Sequence, residues 1–230
     1  MLSLTERYMN PTSDLRKTFE RVVVINLARR RERLTRFVRS LGDWPFEMPW
    51  RFEAVDGLQV GVPDCWNKGP GAWGCMLSHR ALLGSAIASG VSSLLVLEDD
   101  AHPAPDFAAL AADFLAKVPQ DWDCLMFGGE HLREPVPIGP GVVRCMAANR
   151  THAFALRGRM MPILLKYWHH YNTEHCDIVL ASLMRHFNVY APDPFLIGQD
   201  EGFSDITETN EGLRFLTARQ LEAIEQPTGG

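Results

Sequence analysis

The chain has 230 residues, of which 46% are hydrophobic and 22% charged, and its formal net charge is -5. A chain of this length can bury a core without support from disulfides or metals. The acidic balance argues against a protein that coats nucleic acid, although it allows a local basic site for a phosphate group. The five cysteines form no CxxC pair, a pattern more typical of reduced thiols than of a secreted disulfide scaffold.

The two ends of the chain differ in composition from its centre. Residues 1–20 are polar and charged, which predicts a flexible leader and not a secretory signal. Residues 21–225 are interpreted as a single domain, and residues 226–230 as a disordered tail. The longest apolar stretches, such as residues 94–97, are too short to span a bilayer. The expected location is the cytoplasm, with peripheral contact at the inner membrane left open.

Hydrophobic periodicity and turn residues predict alternating strands and helices along the chain. Strands are expected at residues 21–27, 51–55, 93–97, 122–127, 142–147, 151–156, 188–191 and 195–197. Helices are expected at residues 28–41, 74–90, 106–117, 159–170 and 174–187, with loops rich in glycine and proline at 57–71 and 135–141. This alternation predicts an α/β fold whose central sheet is mostly parallel and flanked by helices.

An acidic cluster follows the apolar strand at residues 93–97. Its members are Glu98, Asp99 and Asp100. Alternation along an extended chain would send Glu98 and Asp100 to one side and Asp99 to the other. Two carboxylates on one side suit Mg²⁺ or Mn²⁺, and ligands of such sheets bind at the carboxyl ends of strands. The alternative is a solvated strand end with no ligand.

Four sequence blocks in order carry a resemblance to a known family. They are Val23–Leu27 with the arginines that follow, Phe52–Gly57, Gly71–His79 and Leu95–Ala101. Together they resemble glycosyltransferase family 25, the lipopolysaccharide-type sugar transferases related to collagen galactosyltransferases. The weaker similarities are residues 151–156, Asp177, Gln199 and the pair Ser204-Asp205.

The resemblance implies a GT-A-like fold, a nucleotide-sugar donor that is commonly a UDP-sugar, and a divalent cation, Mn²⁺ or Mg²⁺. It implies donor-binding positions at Asn26, Leu27, Asp56, Gly57, Ser78, His79 and Asp99. It implies cation ligands at Glu98 and Asp100. The family's bacterial members suggest an inverting reaction, and the acceptor classes it implies are glycans, lipid-linked sugars and proteins, as in lipopolysaccharide biosynthesis.

Several arginines follow the first predicted strand, between Arg29 and Arg33. Guanidinium groups bind diphosphates through paired hydrogen bonds. The alternative is a solvated helix face, so one arginine at most, Arg29, is assigned to the donor site. His79 has a comparable alternative, because a single helical histidine is often only structural.

Two carboxylates are candidates for the general base that deprotonates an acceptor hydroxyl. Asp177 lies at the start of a predicted helix, where its charge could simply complement the helix dipole. Glu130 follows two glycines, which could admit a sugar or only form a turn. The histidines at 169, 170 and 175 together with Cys176 match no standard zinc-finger spacing, so we expect no structural zinc among them.

The sequence therefore predicts a metal-dependent glycosyltransferase that moves a sugar from a nucleotide-sugar to a hydroxyl group. A nucleotide-sugar hydrolase or nucleotidyltransferase on a similar sheet is one alternative. A catalytically silent protein that only binds a nucleotide-sugar is another. No nucleic-acid partner is expected.

Overall fold

The structure, a computed structural model, describes residues 15–170, 173–203 and 210–225. The helices are α1 (Arg31–Ser40), α2 (Gly69–Ala88), α3 (Phe107–Lys117), α4 (Met160–His170), α5 (Cys176–Leu183) and α6 (Ala218–Glu225). The strands are β1 (Arg21–Asn26), β2 (Trp50–Glu53), β3 (Ser93–Glu98), β4 (Ala101–Pro103), β5 (Cys124–Met126), β6 (Glu130–His131), β7 (Val136–Gly139), β8 (Val142–Arg144), β9 (Ala148–Asn149), β10 (Ala153–Arg157), β11 (Val189–Pro192), β12 (Ile197–Gln199), β13 (Gly202–Phe203) and β14 (Asn210–Glu211). None of the helices in these ranges combines the length and the apolar character needed to cross a membrane.

An eight-stranded sheet forms the centre of the protein, in the order β2-β1-β3-β10-β5-β11-β8-β7. Strands β1, β2 and β3 are parallel neighbours, whereas β10 lies antiparallel between β3 and β5. Only β10 and β8 run against the other six strands of this sheet. The predicted α/β fold, with a mostly parallel central sheet flanked by helices, is confirmed.

Alternating side chains of the central strands form a separate core on each face of the sheet. In β3, Leu94 and Val96 join the core with α2, α4 and α5. Leu95 and Leu97 join the opposite core, to which α1 and α3 contribute. Because successive residues of a strand point to opposite faces, an apolar run such as this one indicates a strand covered on both sides.

The packed part of the chain starts before residue 21. Phe19 is 2% exposed and packs edge to face against Phe46 and Phe127. Residues 1–14 of the predicted leader, and the predicted tail, lie outside the described residues, as do Ser204 and Asp205.

Helix α6 and the short strands β4, β6, β9, β13 and β14 are not predicted from the sequence, and two further elements, α2 and β7, differ from the expectations. Helix α2 begins at Gly69, five residues earlier than predicted, with Pro70 in its first turn, where a missing N–H costs nothing. Gly74 therefore lies inside the helix and does not form its entry turn. Strand β7 occupies part of the predicted loop at 135–141, and all four of its residues are exposed, as a proline-containing edge strand tolerates.

Glycines bring α2 into backbone contact with the chain that follows β2. A Cβ atom on Gly74 would lie 2.6 Å from the backbone nitrogen of Gly57 and from the carbonyl oxygen of Val55. A Cβ on Gly57 would collide with the carbonyl oxygen of Pro70. Ser78 also stabilises the contact between α2 and the segment after β2, because its hydroxyl accepts a hydrogen bond from the N–H of Val55 at 2.8 Å.

We expect Gly74→Ala to lower the free energy of unfolding by about 3 kcal/mol, at the upper end of the usual cost of overpacking. The added methyl group meets backbone atoms, which cannot rotate away. Gly84→Ala on the same helix is the matched control, because its Cβ would meet only a leucine methyl group at 3.9 Å. Urea denaturation of both variants measures the difference, and equal stability of the two would contradict this account of α2.

Candidate functional site

The carboxyl ends of β1 and β3 open into a cavity of about 660 Å³. This volume lies within the range of roughly 300–1,000 Å³ that is typical of small-molecule sites. The predicted site residues that line it are Leu27, Arg29, Asp56, Gly57, Ser78, His79, Glu98, Asp99, Asp100 and Asp177. The structure thus brings together residues from α2, β3, α5 and the segments that follow β1 and β2.

The acidic cluster contacts an arginine from the first turn of α1. One terminal guanidinium nitrogen of Arg33 lies 2.6 Å from Asp99 Oδ1 and 3.0 Å from Asp100 Oδ2. The prediction that Asp99 and Asp100 point to opposite sides is wrong, because β3 ends at Glu98 and the chain turns there. Arg29 and Arg33 both line the cavity, whereas the sequence assigns one arginine at most, Arg29, to the donor site.

Burial dominates the electrostatics of the two aspartates. It raises the pKa of Asp99 to about 7, against the opposing charge of Arg33. It also raises the pKa of Asp100, again against Arg33. One arginine therefore does not fully compensate two neighbouring buried carboxylates, and an additional positive charge at this position would stabilise their ionised forms.

Glu98 is held differently from its two neighbours. Its Oε1 lies 3.1 Å from His79 Nε2 and accepts a hydrogen bond from the hydroxyl of Thr151 at 2.8 Å. Burial alone would raise the pKa of Glu98, but the hydrogen bond and charge of His79, together with Thr151, lower it to about 2. Glu98 is therefore ionised and forms a fixed pair with His79. Its Oε1 atom already has two partners, His79 and Thr151.

Two buried oxygen atoms near Asp100 have no hydrogen-bond partner. They are Asp100 Oδ1 and Gln199 Oε1, which find no partner among the residues that the structure describes. The two side chains touch, since Gln199 Nε2 donates to Asp100 Oδ2 at 3.4 Å. Buried polar atoms are nearly always paired, so an unpaired set calls for an explanation. Carboxylate and amide oxygens are hard ligands, so Asp100 and Gln199 fit a divalent cation such as Mn²⁺ or Mg²⁺.

The residues predicted near the nucleoside form two further contacts. Asp56 Oδ2 accepts a hydrogen bond from Arg29 Nε at 2.8 Å, and both residues line the cavity. Asn26 is buried beneath them and is not part of the lining; its amide donates to Asp99 Oδ2 at 2.6 Å. Its side-chain oxygen Oδ1 accepts a hydrogen bond from Arg51 Nε at 2.9 Å. Asn26 is thus placed to orient Asp99.

The two candidate bases occupy different places. Asp177 lines the cavity at the start of α5, where its oxygens accept hydrogen bonds from the backbone N–H groups of Ile178 and Arg150 at 2.8 and 3.1 Å. Glu130 lies outside the cavity lining, and half of its side chain is exposed. It faces the guanidinium group of Arg150 at 3.5 Å. Of the two, only Asp177 can reach a ligand in the cavity directly.

Some residues of the site were not assigned to it from the sequence. They are Arg33, Cys75, Thr151 and Cys176, all of which line the cavity. Arg33 stands in an arginine-rich run that the sequence analysis assigned mainly to the surface. Thr151 begins a segment of weaker similarity, but only its hydrogen bond to Glu98 identifies its contact with the site. Cys75 lies in the Gly71–His79 block and Cys176 follows a histidine, but no local pattern assigns either of them to this cavity.

No protein-family profile matches the sequence. The chain is 30% identical over 164 residues to the human protein named inactive glycosyltransferase 25 family member 3; the match covers 60% of this chain and 27% of that protein. It is 26% identical over 156 residues to human procollagen galactosyltransferase 2, covering 58% of this chain and 25% of the relative. The chain thus spans about a quarter of the length of the curated relatives it matches.

The similarity to solved structures is weaker. A glycosyltransferase involved in glycosylation of the major capsid of PBCV-1 has a TM-score of 0.37 and 10% identity, with 66% of each chain covered. Mannose-1-phosphate geranyltransferase from Thermus thermophilus has a TM-score of 0.39 and 12% identity, with 74% of this chain and 72% of that one covered. Because its curated relatives are glycosyltransferase 25 family members, the resemblance of this chain to that family is confirmed.

Proposed function

We propose that this chain binds a nucleotide-sugar, with a UDP-sugar as the first candidate, in the cavity at the carboxyl ends of β1 and β3, and transfers the sugar to a hydroxyl group. The observation that carries the proposal is that Asp100 Oδ1 and Gln199 Oε1, on residues lining a cavity of about 660 Å³, have no hydrogen-bond partner within residues 15–170, 173–203 and 210–225. The relatedness to glycosyltransferase family 25 supports the reaction class.

The charges of the cavity suit a nucleoside diphosphate. Arg29 and Arg33 line one part of it, and arginine binds phosphates through paired hydrogen bonds. Asp100 and Gln199 would hold Mn²⁺ or Mg²⁺, which supplies charge neutralisation for the departing diphosphate. Arg33 contacts both aspartates and Asn26 contacts Asp99, so the carboxylates do not have to reorganise when a ligand binds.

The expected chemistry is a single displacement. The acceptor oxygen attacks the anomeric carbon, the bond from that carbon to the diphosphate oxygen breaks, and the hydroxyl proton passes to Asp177. This step inverts the anomeric centre and needs no enzyme nucleophile. The two backbone N–H groups that bind Asp177 fix the orientation of its carboxylate, as a general base requires.

The proposal is tested by release of nucleotide from a panel of nucleotide-sugars, measured with Mn²⁺, with Mg²⁺ and with a chelator. We expect release from one donor class, dependence on the cation, and an acceptor whose mass rises by one sugar residue. Nuclear magnetic resonance of the product should show the inverted anomer. Release of pyrophosphate, or of free sugar with no acceptor product, would instead assign a nucleotidyltransferase or a hydrolase.

A silent binding protein is the second candidate, because one relative bears a name that calls it inactive. Calorimetric titration with UDP and Mn²⁺ separates the two. Binding without turnover across broad donor and acceptor panels supports the silent protein. Turnover with any pair of substrates supports the transferase.

A further inference from the structure

Three potential metal-binding side chains meet beside Glu98. Cys75 and His79 lie one turn apart on α2, and residues separated by four positions share a helix face. Cys176 is the first residue of α5. A ligand atom from each of the three residues lies within 4.8 Å of the other two. None of the three is Asp100 or Gln199, the residues assigned above to Mn²⁺ or Mg²⁺, so this cluster is a separate candidate site.

The spacing of the two sulfur atoms suits a shared metal ion. Cys75 Sγ and Cys176 Sγ are 3.7 Å apart. Two thiolates bound tetrahedrally to zinc, each about 2.3 Å from the ion, lie about 3.8 Å apart. A disulfide would need a separation of about 2.05 Å, and both cysteines are free thiols.

The surroundings of the histidine match those of a metal ligand. The Glu98 carboxylate holds the His79 ring through Nε2 at 3.1 Å, and Thr151 fixes Glu98 in turn. The Thr151 hydroxyl also lies 3.6 Å from Cys176 Sγ. Metal-bound histidines are usually oriented by an outer carboxylate of this kind.

We propose that Cys75, His79 and Cys176 bind a zinc ion, with a water molecule from the cavity as the fourth ligand. Thiolates select zinc over Mg²⁺ and Mn²⁺, which prefer oxygen ligands. All three residues line the cavity, and three protein ligands with an open position are typical of accessible zinc sites. The ion would connect α2 to the start of α5, the helix that carries Asp177.

The test uses the full chain, purified under reducing conditions, stripped with a chelator and re-equilibrated with Zn²⁺. We expect one zinc ion per chain by elemental analysis. Replacement by Co²⁺ should produce the near-ultraviolet absorption of a thiolate–cobalt bond. Loss of even an outer partner costs roughly 10–100-fold in metal affinity, so Cys75→Ser and Cys176→Ser should each weaken zinc binding by more than about 100-fold. Cys65→Ser is the matched control, since Cys65 is exposed and should leave binding unchanged.

None of these measurements requires sugar transfer. The zinc proposal can therefore fail or succeed independently of the glycosyltransferase proposal. The wild-type measurements do not depend on any variant, and circular dichroism verifies that each serine variant is folded. The zinc proposal is overturned if the reduced full chain retains no zinc, if Co²⁺ gives no thiolate band, or if folded serine variants bind zinc as tightly as the wild type. A disulfide between Cys75 and Cys176 in place of a metal ion would overturn it as well.

Discussion

Asp100→Asn is expected to lower sugar transfer by at least about 100-fold, because a metal ion contributes several kcal/mol to stabilising charge on a leaving group. Asparagine keeps the size of the side chain and removes only its charge. Asp99 retains its contacts with Arg33 and Asn26, so the fold should persist. Nucleotide release measures the loss of transfer, and calorimetry should show that Mn²⁺ no longer strengthens nucleotide binding.

Asp113→Asn is the control for this substitution. Asp113 is exposed on α3 and pairs with Lys117 one turn away, and exposed pairs of this kind contribute little. We expect its activity and its dependence on Mn²⁺ to equal those of the wild type. If Asp100→Asn also transferred sugar at the wild-type rate, with the same response to Mn²⁺, the cation assignment would be wrong.

Asp177→Asn is expected to reduce kcat by about 10²- to 10⁴-fold, the usual contribution of a general base, while the affinity for the nucleotide stays the same. The substitution removes the proton acceptor but leaves an amide oxygen for one of the two backbone N–H groups. Steady-state kinetics with saturating acceptor, together with nucleotide titration, separates these two effects.

Glu130→Gln serves as the matched carboxylate control. Glu130 lies outside the cavity lining and half of its side chain is exposed, so its loss should change kcat by less than about threefold, as for other exposed substitutions. A large loss in Glu130→Gln combined with a small one in Asp177→Asn would exchange their proposed roles.

The arrangement of strands and helices could be predicted largely from local patterns. The apolar runs at β1 and β3 indicated buried strands, and the position of Glu98 to Asp100 at the end of β3 located the site. The start of α2 could not be predicted, because glycines that suggest a turn are required here by the backbone contact with Gly57. Such a contact depends on how two distant segments pack.

The composition of the site could be predicted only in part. Asp56, Glu98 and Asp100 were assigned from motif resemblance, and all three line the cavity. The direction of Asp99 was predicted incorrectly, because alternation holds only while the chain stays extended. The role of Arg33 was missed, since an arginine in a charged run has no local sign that distinguishes a buried ion pair from a solvated one.

The sequence alone determined the α/β class, the acidic cluster at the end of a central strand and the resemblance to glycosyltransferase family 25, because periodicity and motif spacing are properties of neighbouring residues. Tertiary structure decided which groups meet there. Gln199 reaches Asp100 across 99 positions, and Cys176 reaches Cys75 across 101. The first pair forms because β12 lies beside β4, and the second because α2 packs against α5. Both contacts depend on how distant segments pack, which no local pattern encodes.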